Sequence, residues 1–119
     1  MPHGHRFQKL ADEAKAKIRE VTATEALQQQ QAGTLLMDVR ETEEWTQERA
    51  AGAVHLSKGI LEVKIEERVP DPATPIILYC GGGNRSALAA ENLQRMGYTN
   101  VASMSGGFKA WKDQGLETR

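Results

Sequence analysis

The chain has 119 residues, enough for one hydrophobic core, and its 39% hydrophobic and 26% charged residues mark a globular rather than a disordered polymer. A formal net charge of −1 removes the electrostatic reason to expect nucleic acid or an anionic membrane surface as partner. A single cysteine excludes an intramolecular disulfide framework and suits a reducing compartment, and no apolar run of about 18 residues is present to span a bilayer.

Met1–Arg6 is polar and reads as a loose end. His3 and His5 raise the question of a metal site. Two histidines on a polar end are ordinarily just solvated, and Pro2 lacks the amide nitrogen that a terminal chelate would use, so no metal is expected. The opening residues also lack the apolar core of a secretory signal, and the expected location is cytoplasmic. Phe7, Leu10, Ala14 and Ile18 recur near helical spacing and predict an N-terminal helix. Val21 is expected in a short edge strand. Thr22 or Thr24 then caps a helix through Ala26 and Leu27 to Ala32, which Gly33 ends. Gln28–Gln31 reads as a solvated face of that helix.

Leu35–Val39 is the next strand. It carries Asp38 and Arg40 to its C-terminal end, the edge at which parallel α/β sheets bind ligands. Two residues apart on a strand end, this pair points the same way. A local ion pair that holds loops together is the favoured reading over direct substrate contact. Glu41–Glu48 is expected to be helical, with Trp45 toward the core and Glu43 and Glu44 on a solvated face. Val54–Leu56 is a strand on which His55 is packed rather than catalytic. From Ile60 to Val69, Leu61, Val63 and Ile65 alternate with Glu62, Lys64 and Glu66, which is strand-like, whereas the flanking charges fit a surface helix. Pro70–Pro75 is a turn-rich loop. Ile76–Tyr79 suits a strand buried on both faces. After the cysteine loop, Ala89, Leu93 and Met96 mark a helix from Ala87 that Gly97 ends. Asn100–Met104 is the last strand, Ser105-Gly106-Gly107 a loop on the same sheet edge as Cys80, and Phe108–Gln114 a short helix whose Trp111 closes the core. The strand–helix alternation predicts a parallel sheet with helices on both faces.

The lone cysteine stands at the junction of a strand and a helix, in Cys80-Gly81-Gly82-Gly83-Asn84-Arg85-Ser86. The first turn of a helix has N–H groups without intrahelical partners, at the positive end of the helix dipole. Glycines let such N–H groups turn inward around an anion. A cup of this kind, with Arg85 beside it, favours the thiolate, which is the nucleophilic form. A small apolar residue before a flexible turn is the bland alternative; three glycines and an arginine weigh against it. Arg85 is the fifth residue after Cys80, so the loop reads C-x4-R. Cysteine phosphatases use C-x5-R, a cup one residue larger, and here Ser86 holds that sixth position. The smaller cup suits one sulfur atom carried on the cysteine.

This loop resembles the active-site loop of single-domain rhodaneses, a family of sulfurtransferases. Leu36-Met37-Asp38-Val39-Arg40-Glu41 is similar to the family's D-V-R segment, and Gly52-Ala53-Val54-His55-Leu56 to its G-A strand, with Lys58–Glu62 as the turn after it. Gly97-Tyr98-Thr99-Asn100-Val101 and Gly106-Gly107-Phe108-Lys109-Ala110-Trp111 resemble its closing motifs. The motifs run in family order from about Val21 to Gly115. Two departures stand out. Glu48-Arg49-Ala50-Ala51-Gly52-Ala53 replaces the frequent G-H-I-P-G-A, and Gly81 and Gly82 are neutral where many thiosulfate-using members carry a basic loop residue, which leaves the preferred donor open.

The resemblance implies a three-layer α/β/α domain with a central, mainly parallel sheet of about five strands over residues 20–119, preceded by a helical extension over 1–19. It favours the helical reading of 60–69. It implies sulfur transfer by double displacement, with Cys80 as nucleophile, Gly81, Gly82, Gly83, Asn84, Arg85 and Ser86 as the substrate-binding loop, and Asp38 and Arg40 in a supporting role. No metal or organic cofactor is needed. The partners would be a small sulfur donor and a thiol or cyanide acceptor, or a sulfur-accepting protein, and a monomer is expected. A persulfide carrier for a partner protein is the main alternative, and a cysteine phosphatase or arsenate reductase of the same fold the lesser one.

Overall fold

The computed structural model describes residues 4–119. His3 and the residues before it lie outside the described residues, while His5 opens the first helix. The elements run α1 (His5–Lys15), β1 (Arg19–Val21), α2 (Ala23–Gln31), β2 (Leu35–Asp38), α3 (Thr42–Gln47), β3 (Val54–His55), α4 (Lys58–Arg68), β4 (Ile76–Tyr79), α5 (Asn84–Arg95), β5 (Val101–Met104) and α6 (Gly107–Asp113). The five strands form one sheet in the order β1-β5-β4-β2-β3, and every pairing within it is parallel.

The alternation of side chains along β4 divides the core in two. Ile76, Leu78 and Cys80 pack with Leu61 and Ile65 of α4 and Ala89, Ala90 and Leu93 of α5. Ile77 and Tyr79 pack on the opposite face with Ala23 and Ala26 of α2 and with Phe108 and Trp111 of α6. This is the three-layer α/β/α arrangement. All four residues of β4 are fully buried, which is why its sequence is a continuous apolar run rather than an alternation.

Local signals explain most boundaries. Thr22, not Thr24, caps α2: its hydroxyl accepts from the Glu25 N–H at 3.1 Å and the Glu25 carboxylate accepts from the Thr22 N–H at 2.8 Å, a reciprocal capping box. Residues 58–68 are helical, so the apparent alternation misleads. Leu61 and Ile65, four apart, are buried on one face, while Val63 points to water. The first helix begins and ends earlier than its sequence pattern predicts, and Leu10 is exposed. Its buried face is Ala11 and Ala14, small residues that let α1 lie close along α5. Trp45 is half-buried rather than in the core. Its indole stacks on His55 with ring centroids 4.9 Å apart, and the Arg49 guanidinium covers the ring at 4.6 Å. Among the described residues, no helix is long and apolar enough to cross a membrane.

Candidate active site

Cys80 follows the central strand at the C-terminal edge of the sheet, flanked by the ends of β2 and β5. The helix after it starts at Asn84, three residues earlier than the apolar pattern alone indicates, because its first turn is polar: Ser86 faces the cysteine, while Asn84 and Arg85 reach Gln8 and Glu44. Gly83 is the N-cap and has φ +105°, a left-handed conformation that side chains disfavour; a Cβ there would also meet the Gly106 nitrogen at 3.1 Å. This sharp entry folds the loop back over the sulfur. The Gly83 N–H donates to Cys80 Sγ at 3.1 Å and the Ser86 N–H at 3.3 Å. Ser86 Oγ lies 3.4 Å from the same sulfur and 2.8 Å from Ser103 Oγ, so a buried hydroxyl pair closes the back of the cup. The first-turn amides of Asn84 and Arg85 lack intrahelical partners and add to the positive end of the dipole.

The loop is fastened from outside by α6. The Phe108 N–H donates to the Cys80 carbonyl at 2.7 Å and the Lys109 N–H to the Gly81 carbonyl at 3.1 Å. Gly107 makes this approach possible: a Cβ there would stand 2.5 Å from the Cys80 oxygen and 2.7 Å from the Gly81 carbonyl carbon. With the carbonyls drawn outward to α6, the amides are left to face inward. The sequence pattern places Ser105-Gly106-Gly107 on the same sheet edge without showing the clamp, for which Gly106-Gly107 ahead of a short helix is the available signal.

Arg85 flanks the cup but is not a free charge. Its Nη1 and Nη2 donate to the two Glu44 oxygens at 2.8 and 3.1 Å. The Arg85 hydrogen bond, against the opposing cost of burial, holds the Glu44 carboxyl below its ordinary value, and the Glu44 hydrogen bond raises the Arg85 guanidinium. Glu44 therefore corrects the expectation of a purely solvated face on α3.

Asp38 and Arg40 form a separate, buried pair. Arg40 Nη2 and Nε donate to Asp38 Oδ2 at 2.8 and 3.1 Å, the Arg40 N–H donates to Asp38 Oδ1 at 2.9 Å, and Nη2 also donates to the Glu48 carbonyl at 2.6 Å. The guanidinium lies 4.4 Å from the Phe108 ring centroid. Burial opposes its charge, and Asp38 overrides that, raising Arg40 further. Burial foremost, with Asp38 adding to it, pushes the Tyr79 phenol up as well, and its oxygen accepts the Ala50 N–H at 3.1 Å. This cluster ties the end of β2 to the 48–50 segment and to α6. His55 joins it through Nε2, 2.8 Å from the Arg40 carbonyl.

A cleft of about 370 Å³ opens over Cys80, lined by Phe7, Cys80, Gly82, Asn84 and Arg85. Neither Asp38 nor Arg40 lines it. Phe7, from α1, joins Glu44 and Ser103 as residues at the site that the sequence pattern does not place there. A thiolate at the floor of this cleft, surrounded by preorganised amide donors, can attack a small electrophilic atom and hold a second large, soft anion in place of the first.

Known proteins resemble this chain in sequence and in fold. The sequence profile of the rhodanese-like domain matches residues 22–114. A thiosulfate sulfurtransferase, GlpE, of Haemophilus influenzae is 35% identical over 95 residues, which cover 79% of this chain and 88% of that protein. A Rhodopseudomonas palustris structure of unknown function, described as a possible tyrosine phosphatase, superposes with TM-score 0.84 at 31% identity over 100% of this chain and 99% of its own. The polysulfide-sulfur transferase homodimer of Wolinella succinogenes superposes with TM-score 0.83 at 26% identity over 96% of this chain and 87% of its own.

Proposed function

The chain belongs to the rhodanese-like domain family, and from that premise we propose that it is a sulfurtransferase of the thiosulfate type, working through a persulfide on Cys80. The Cys80 thiolate attacks the outer sulfur of thiosulfate; a new S–S bond forms, the old one breaks, and sulfite leaves with its electron pair. The persulfide then gives its outer sulfur to cyanide, forming thiocyanate, or to a thiol, and the Cys80 thiolate returns. Gly81, Gly82, Gly83, Asn84, Arg85 and Ser86 form the binding loop, whose amides stabilise whichever sulfur carries the charge. Asp38 and Arg40 support the loop from below. Residues 20–119 carry this chemistry and 1–19 form the extension. The enzyme acts as a monomer on small donors and acceptors, needs no metal or organic cofactor, and suits the reducing cytoplasm, where its one thiol stays free.

The observation that carries this reading is the convergence of the Gly83 and Ser86 N–H groups on Cys80 Sγ, a cup fitted to one sulfur. Phosphoryl transfer is the weaker reading, because the loop is one residue short and Glu44 already occupies the Arg85 fork that would hold a phosphoryl group. The test is intact mass after incubation with thiosulfate. Wild type should gain one sulfur atom, lost again on adding cyanide, and Cys80→Ser should gain none. Multiple turnovers to thiocyanate identify an enzyme; one discharge that only a partner protein completes identifies a carrier. Hydrolysis of aryl phosphates faster than consumption of thiosulfate would overturn the assignment.

A further inference from the structure

The wall of the Cys80 cleft that does not come from the loop comes from α1. Phe7 is half-buried and lines the cleft together with Cys80, Gly82, Asn84 and Arg85. Two side-chain amides fix it there: Gln8 Nε2 donates to Asn84 Oδ1 at 3.4 Å and Asn84 Nδ2 donates to Gln8 Oε1 at 3.2 Å. The small face of Ala11 and Ala14 and a Lys17–Glu91 ion pair of 3.4 Å hold the rest of the helix along α5. The wall is thus attached to the catalytic loop itself, one residue before Arg85.

The described lining of the cleft is poor in charge. Among the described residues that line it, Arg85 is the one charged side chain besides the Cys80 nucleophile, and Glu44 engages that guanidinium with both oxygens. The cations of α1, Arg6 and Lys9, together with His5, line a neighbouring groove that shares Phe7. A site next to a sulfur nucleophile that offers an aromatic wall and a neutralised ion pair favours a substrate whose sulfur is borne on an uncharged, apolar group.

Building on the sulfur-transfer reading, we propose that Phe7, positioned by the Gln8–Asn84 amide pair, is a specificity-determining residue that selects an apolar organic thiol as acceptor of the Cys80 persulfide. The acceptor thiolate attacks the outer sulfur, the bond from that sulfur to Cys80 Sγ breaks, and the Cys80 thiolate leaves, so the products are an organic persulfide and the resting enzyme. No further oxidant or reductant enters.

The experiment uses the full chain, loaded with sulfur from thiosulfate and freed of excess donor. Discharge is followed with phenylmethanethiol and with 2-mercaptoethanesulfonate, an anionic thiol. The intrinsic reactivities of the two thiols are the same for every variant, so the change in their kcat/KM ratio isolates the wall. Phe7→Ala should lower the ratio of apolar to anionic thiol about tenfold, the order expected for losing one apolar contact surface at a site. Gln8→Ala should lower it several-fold by unlatching the helix, and it keeps the test open if Phe7→Ala unfolds. An unchanged ratio in folded variants would overturn the proposal, as would a wild-type preference for the sulfonate, which would point to Arg6 and Lys9 instead. Failure of wild type to gain sulfur from thiosulfate would sink the transfer reading itself, and this proposal with it.

Discussion

Two arginine–carboxylate pairs lie at the sheet edge that carries Cys80, and their surroundings differ. In the Asp38–Arg40 pair the carboxylate side chain is 0% and the guanidinium side chain 6% exposed, whereas in the Glu44–Arg85 pair the values are 37% and 32%. The first pair is two residues apart in sequence, satisfied on several sides and covered by Phe108. The second joins residues 41 positions apart and opens onto the cleft. Charge pairing by itself therefore says little about role. Where water is excluded, a broken pair leaves a buried charge, and the pair becomes architecture. Where water reaches it, the Coulomb energy is small, and what remains is control over how much positive charge a ligand feels.

The widest separation should come from Asp38→Asn. It leaves Arg40 charged and short of its partner, for a loss of about 3–5 kcal/mol. Thermal unfolding should drop by roughly 10–20 °C, from the usual scaling for a domain of this size. A drop of only a degree or two would erase the distinction between the pairs. Arg85→Ala should do the opposite. Stability should change by no more than about 1 kcal/mol, as for partly exposed pairs. The rate of sulfur loading from thiosulfate should fall about tenfold, the factor that corresponds to 1.4 kcal/mol. If this variant instead unfolds like Asp38→Asn, the cleft pair is structural too.

Glu44→Gln sharpens the contrast further. It removes the carboxylate and unmasks Arg85, so KM for dianionic thiosulfate should fall several-fold and become more sensitive to salt, while phenylmethanethiol discharge changes less. A rise in KM would mean that Glu44 holds Arg85 in its working position instead of masking it. The smallest effect is on acid stability. The Glu44 carboxyl lies below its ordinary value of 4.5 in the folded chain, so its contribution is fully present above about that pH and is lost as pH falls through the lower folded value. Because the Glu44 side chain is more than a third exposed, the loss should be well under about 1 kcal/mol. Urea titrations at pH 6, 4.5 and 3 should therefore show a slightly steeper acid decline for wild type than for Glu44→Gln. Parallel declines would show that solvent screens the pair entirely.

Much of the fold was legible because its signals are local. The apolar run of β4, the glycine stops and the Thr22 cap each act within a few residues. The cysteine loop was legible for the same reason, since strand, glycines and helix start are contiguous. What escaped depends on distant partners. Periodicity shows that Glu44 lies off the apolar face of α3; it does not show that Arg85 waits across the cleft. Trp45 carries a large apolar side chain, yet it stacks on His55 under Arg49 at the rim, where one wide ring can be half-covered without entering the core. Between Ile60 and Val69, apolar Leu61, Val63 and Ile65 at every second position imitate a strand, and packing of Leu61 and Ile65 against α5 and the sheet selects the helix. Phe7 read as one more residue of an amphipathic stripe; the Gln8–Asn84 pair that places it beside Cys80 spans 76 positions.

The hold that α6 takes on the peptide of Cys80 also orders events during synthesis. The cysteine emerges from the ribosome before Gly107, Phe108 and Lys109, and β1 cannot find its place in the sheet until β5 follows. Until then the carbonyls of Cys80 and Gly81 are solvated, and nothing compels the amides of the loop to turn toward the sulfur. Domains acquire structure as their segments arrive, and here the decisive segment comes after the cysteine it clamps. A half-made chain thus carries a thiol without its cup, and the capacity to handle reactive sulfur is switched on only once α6 has docked.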